Sequence, residues 1–128
     1  MNAAVAPDQS QRVIVVEDDA GMNKAIGRLL RAAGFEPVTF ASAEELLQTR
    51  AVDSAACLVV DINLPGISGL ELGQRLIAVG RKKPIVFITG QDEPSLRDEA
   101  RRIGCAYFHK PFEGEALLDV IRRAIRDD

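Results

Sequence analysis

The sequence predicts an α/β fold, a parallel sheet covered by helices on both faces. Three observations carry that expectation. Short unbroken runs of β-branched and apolar residues recur down the chain, the form taken by strands buried on both faces. Stretches with apolar residues at helical spacing lie between them. The two kinds alternate five times, and strands alternating with helices imply parallel pairing through crossovers.

Each element has its own signal. Val13-Ile14-Val15-Val16 is the first strand, stopped by Glu17-Asp18-Asp19. Met22, Ala25, Ile26, Leu29, Leu30 and Ala33 then follow at helical spacing, and Gly34 suits the position after a helix end. Phe35 to Phe40 is a weaker second strand, and Ser42-Ala43-Glu44-Glu45 reads as a capping box opening a short helix. Cys57 to Val60 is the third strand, ending at Asp61. Gly69 to Val79 is a helix closed by Gly80. Pro84 to Ile88 is the fourth strand, ending at Thr89. Pro94 opens a polar helix that Gly104 stops. Cys105 to His109 is the fifth strand, ending at Lys110-Pro111, and Leu117, Leu118, Ile121, Ala124 and Ile125 mark the last helix.

The 128 residues suit one domain, with residues 1–11 as a flexible lead-in and 12–128 folded. That length can bury a core without disulfides or a structural metal. A formal charge of -3 gives no support for non-specific nucleic-acid binding. The longest apolar stretch, Ala55 to Val60, is too short to span a bilayer, and Met1 to Arg12 has no apolar signal segment. The expectation is a soluble, cytoplasmic domain. Two cysteines and one histidine cannot furnish a zinc ribbon.

Open α/β sheets place their sites at the carboxyl ends of the strands. Here the first strand ends in Glu17, Asp18 and Asp19, the third in Asp61, the fourth in Thr89 and the fifth in Lys110. Carboxylates gathered on one rim repel unless a cation neutralises them. Oxygen ligands without His or Cys favour a hard cation, Mg²⁺ foremost. A metal, a carboxylate nucleophile, a hydroxyl and an ammonium are the parts of phosphoryl transfer.

These residues carry a resemblance. Val16-Glu17-Asp18-Asp19, Asp61-Ile62-Asn63-Leu64-Pro65-Gly66-Ile67-Ser68-Gly69, Thr89-Gly90 and Lys110-Pro111-Phe112 resemble the receiver domain of bacterial response regulators. Phe40-Ala41-Ser42-Ala43-Glu44 and Pro84-Ile85-Val86-Phe87-Ile88-Thr89-Gly90 look most like the FixJ-type subgroup. The resemblance implies a flavodoxin-like (βα)5 doubly wound parallel sheet with strand order 2-1-3-4-5.

It also implies roles. Asp61 would accept a phosphoryl group from a sensor histidine kinase or a histidine phosphotransfer protein. Asp18 would bind Mg²⁺ directly, Glu17 through water, Asp61 as a ligand, and Asn63 through its backbone carbonyl. Glu17 stands where Asp is commoner in the family. Thr89 would donate to a phosphoryl oxygen and Lys110 would pair with another, on a cis Lys110-Pro111 bond. Tyr107 matches the switch aromatic that turns inward when Thr89 moves. Asn63 and Gln91 occupy the places that tune loss of the phosphoryl group, and being uncharged they imply a lifetime of seconds to minutes or longer. Plain structural readings stand beside these: Asp61 capping a turn, Thr89 serving a strand, Lys110 solvated at a strand end, Tyr107 fixed in one rotamer. Asp19 reads better as a helix N-cap than as a ligand. His109 reads as structural. Cys57 and Cys105 read as buried small hydrophobes, roughly 10 Å apart across one intervening strand.

Arg97, Arg101 and Arg102 on the fourth helix, with Arg122, Arg123 and Arg126 on the fifth, form either a solvated mixed-charge face or a phosphorylation-dependent dimer face. The fourth helix has few apolar anchors, Leu96, Ala100 and Ile103, which predicts loose packing. Nothing here indicates membrane or direct nucleic-acid contact. Three other functions compete. A haloacid-dehalogenase-type phosphohydrolase would want an acid where Asn63 stands. A flavodoxin-like cofactor carrier would not place three acids in its first loop. A degenerate docking receiver would not keep Asp61, Thr89 and Lys110. Two contexts stand open, a stand-alone regulator or the receiver of a larger transcription factor, and the FixJ-type phrases give weight to the second.

Overall fold

A computed structural model of the chain describes residues 11–126. The expected lead-in lies, apart from Gln11, outside the described residues. The elements run β1 (Arg12–Val16), α1 (Ala20–Ala32), β2 (Glu36–Phe40), α2 (Ala43–Leu47), a 3-10 turn (Ala51–Ser54), β3 (Cys57–Asp61), α3 (Gly69–Ala78), β4 (Ile85–Thr89), α4 (Pro94–Ile103), β5 (Ala106–His109) and α5 (Gly114–Arg126). All four strand pairings are parallel, in the order β2-β1-β3-β4-β5.

The central strands are apolar because both faces are covered. Alternate residues of β1, β3 and β4 go to opposite sides. Ile14, Val16, Leu58, Val60, Ile85 and Phe87 pack with Leu46, Leu72, Leu76 and Ala100 from α2, α3 and α4. Val13, Val15, Val59, Val86 and Ile88 pack with Ile26, Leu30, Leu117, Leu118 and Ile121 from α1 and α5. Pro37 sits on edge strand β2, where its missing N–H breaks no ladder on the open side.

The caps set where helices start relative to the rim. The Asp19 carboxylate accepts from Met22 N at 2.9 Å, as the N-cap reading expects. Ser42 Oγ accepts from Glu45 N at 3.1 Å, but the returning Glu45 carboxylate takes the N–H of Ala41 rather than that of Ser42. The 3-10 turn has no sequence counterpart in the expected elements. Its four residues are too few for a helical period, and it is recognisable only by Val52 entering the core.

One expectation is overturned. Cys57 is buried, but Cys105 is exposed and precedes β5 instead of starting it. β5 is an edge strand with no fully buried residue, so a residue at its entrance lacks a cover. α4 buries only Ala100 completely, with Leu96 and Ile103 half-covered against the core.

Candidate functional site

Parallel pairing brings the strand ends to one rim. Val16 lies beside Val60, Asp61 beside Ile88, and Thr89 beside His109. Glu17 leaves β1 still hydrogen-bonded in sheet fashion, its N–H donating to Phe40 O at 3.1 Å. Asn23, on the first turn of α1, ties the same corner. Its Nδ2 donates to the carbonyls of Glu17 at 2.9 Å and Phe40 at 3.1 Å.

One ammonium joins two buried carboxylates. Lys110 Nζ donates to Glu17 Oε1 at 2.7 Å and to Asp61 Oδ2 at 3.0 Å. Glu17 is 1% exposed and Asp61 3% exposed, so each depends on its protein partners for solvation. Glu17 Oε2 accepts from Asp19 N at 3.0 Å, and Asp61 Oδ1 accepts from Asn63 N at 2.8 Å. Both carboxylates are thus fixed in orientation. The Lys110-Pro111 bond is cis, as the resemblance implies.

Burial pushes the Glu17 carboxyl up to about 7, the Lys110 hydrogen bond opposing and Asp61 adding to the rise. For Lys110, burial pulls the ammonium down, but its hydrogen bonds to Glu17 and Asp61 outweigh that and leave its pKa raised. The site therefore holds its lysine charged and Glu17 in competition with a proton.

Asp18 completes an acidic set. One carboxylate oxygen each from Glu17, Asp18 and Asp61 lies within 4.8 Å of the others. Asp18 is exposed, and among the described residues it has no hydrogen bond or ion pair. Three acids against one ammonium leave a net negative pocket of oxygen donors, a donor set that fits a hard divalent cation.

Thr89 is fully buried at the neighbouring strand end. Its hydroxyl accepts from Gln91 N at 3.0 Å, and its proton is shared between the Gln91 carbonyl at 3.1 Å and Asn63 Oδ1. The Asn63 side chain, for which sequence reasoning foresaw no contact with Thr89, thus bridges Thr89 to the loop after Asp61. Tyr107 is not in this cluster. It is half-buried on β5, with its hydroxyl donating to Asp92 Oδ1 at 3.1 Å, and Arg97 Nη1 is 3.6 Å from the same oxygen. His109 is exposed.

The profile of the response regulator receiver domain family matches residues 13–122. The chain belongs to that family. Response regulator receiver domains are phosphoacceptor modules of two-component systems. This receiver domain is 40% identical over 117 residues to Nodulation protein W of Bradyrhizobium diazoefficiens, covering 91% of this chain and 52% of that protein. It is 36% identical over 115 residues to the transcriptional regulatory protein FixJ of the same organism, covering 89% and 56%. The chain spans about half the length of these relatives. The solved response regulator StyR superposes with TM-score 0.83 at 39% identity, covering 91% of this chain and 60% of that one. A CheY-like receiver domain protein from Methanospirillum hungatei JF-1 gives 0.83 at 22% identity, covering 93% and 96%, a likeness of fold.

Three contributors to this receiver domain's rim escaped sequence reasoning: Asn23, Asp92 and Glu44. Glu44 Oε2 accepts from Ile67 N, in the loop after Asp61, at 2.9 Å. Asn23 carried a faint signal, a polar residue one helical turn past the Asp19 cap. Glu44 and Asp92 carried none, because their partners lie on other elements.

Proposed function

We propose that this receiver domain, spanning 12–128, is the phosphoacceptor switch of a two-component His-Asp phosphorelay. The observation that carries the reading is the Asp61 carboxylate, clamped between Asn63 N and Lys110 Nζ and flanked by the oxygens of Glu17 and Asp18. An Asp61 oxygen attacks phosphorus on a phosphohistidine. A new P–O bond forms, the P–N bond breaks, and its electron pair leaves with the imidazole of the histidine kinase or histidine phosphotransfer protein. Asp18 and Asp61, the Asn63 carbonyl and, through water, Glu17 would hold Mg²⁺. When bound, that ion neutralises the carboxylates and the phosphoryl oxygens. Lys110 pairs with one phosphoryl oxygen and Thr89 donates to another.

The switch follows from those contacts. To reach the phosphoryl group, the Thr89 hydroxyl must leave Asn63 and Gln91, and Tyr107 must leave Asp92 to turn inward. That movement re-forms the α4–β5–α5 face, where Arg97, Arg102 and Arg122 are engaged with acids. The re-formed face controls a partner, an output domain or a second copy. Among the described residues no helix is long and apolar enough to cross a membrane. The reading places the domain in the cytoplasm, without membrane or direct nucleic-acid contact.

Acetyl phosphate with Mg²⁺ tests the reading by intact mass. The wild-type chain gains one phosphoryl group and Asp61→Asn gains none. No gain at saturating donor overturns it. Sizing with and without the donor tests the second copy, and an unchanged monomer removes that part.

A further inference from the structure

The loop after Asp61 carries more than the acceptor's neighbour. It holds Asn63, whose N–H orients Asp61 and whose side chain engages Thr89. Inside its own segment the loop is closed by Gly69 N donating to Ile62 O at 3.0 Å. On the β4 side it is tied through Asn63 to Thr89 and Gln91. On the opposite side the described tie is Glu44, on α2, whose Oε2 accepts from Ile67 N at 2.9 Å across 23 residues of sequence.

This contact has been given room. A Cβ at Gly66 would stand 2.2 Å from Glu44 Oε2, so any side chain there would evict the carboxylate. Gly66 also sits at φ +74°, in the left-handed region that favours glycine. Glu44 is itself aimed by a fixed start to its helix, with Ser42 Oγ on Glu45 N. The Ile67 N–H holds the Glu44 carboxyl below the ordinary glutamate range, so it is a charged acceptor near neutral pH and makes the stronger kind of hydrogen bond.

We propose that Glu44 is a positioning residue for phosphoryl acceptance. It clasps the 62–68 loop from α2, and so holds the Asn63 carbonyl toward the metal position and the Asn63 N–H on Asp61. The inference rests on the proposed function, and it adds a residue of α2, away from the carboxylate cluster, on which the cluster's geometry depends.

Glu44→Ala and Glu44→Gln in the full chain separate the possibilities. Three readouts serve: hydrogen exchange of the Ile67 amide, Mg²⁺ affinity from amide shifts in the 62–68 loop, and phosphorylation rate with acetyl phosphate. In Glu44→Ala the Ile67 amide loses protection, Mg²⁺ binds about tenfold more weakly, as when outer ligands of metal sites are removed, and acceptance slows. Glu44→Gln keeps an oxygen acceptor and restores most of all three. Wild-type Mg²⁺ affinity and rate in Glu44→Ala overturn the proposal. So does equal loss in both variants, which would mean that charge rather than the hydrogen bond matters. Should Glu44→Ala fail to fold, Glu44→Asp, which withdraws the oxygen by one methylene, takes its place in the same comparison. A wild-type chain that neither binds Mg²⁺ nor gains a phosphoryl group overturns the proposed function instead.

Discussion

At the scale of single residues, the rim is a contest over charge. Lys110 serves two buried acids at once, so losing it unpairs both and removes a donor to the phosphoryl group. Lys110→Ala should slow acceptance from acetyl phosphate by about a hundredfold, the usual cost of one transition-state donor, read by intact mass against time. Glu17 sets a pH dependence. Its folded pKa, about 7, lies above its ordinary value of 4.5, so the fold binds its proton more tightly than the unfolded chain does. The stability this contributes is complete below about 4.5 and is lost as pH rises through 7. Glu17→Gln removes that titration. The metal-free variant should therefore show a flatter dependence of Tm on pH between 4.5 and 7 than the wild type, and an unchanged slope would refute the assignment. The residue types at this rim were legible in the sequence because strand ends are readable positions. The pairing of Lys110 with Glu17 as well as Asp61 was not, since it depends on burial that neither residue's neighbours in sequence reveal.

At the scale of elements, the join between β3 and α3 is the tightest place near the site. A Cβ on Gly69 would stand 2.2 Å from the Asp61 carbonyl oxygen, a backbone atom that cannot yield without shifting the acceptor. Gly69→Ala should cost about 1–3 kcal/mol in urea denaturation, the range for forced overpacking, and should also slow acceptance, because the displaced atoms belong to Asp61. A helix cap away from that join behaves differently. Asp19→Ala removes the acceptor for Met22 N and should cost about 1 kcal/mol, with a smaller effect on rate. The helices and strands themselves were legible because apolar patterning marks each, and the caps read at Asp19 and Ser42 agree with it for α1 and α2. The 3-10 turn and the exposed Cys105 were not. One is shorter than any period, and the other depends on β5 lying at an edge, where a strand-like run no longer guarantees cover.

At the scale of the whole molecule, the two apolar layers hold the strand ends in register, and the net negative rim is the cost of gathering them. A cation that binds only the folded rim must therefore stabilise the entire fold. At Mg²⁺ about one hundred times its dissociation constant, the gain is about 2.7 kcal/mol. For a domain of this size that raises Tm by roughly 8–16 °C. The proton that buried Glu17 holds up to about pH 7 competes with the cation, so the shift should be larger at pH 8 than at pH 6. Chelation should reverse it. Asp18→Asn should remove most of it, because Asp18 is the one acid of the three left without a protein partner among the described residues. Ca²⁺-free thermal scans at both pH values decide the matter: an equal Tm with and without Mg²⁺ would mean that the three carboxylates are balanced by Lys110 alone.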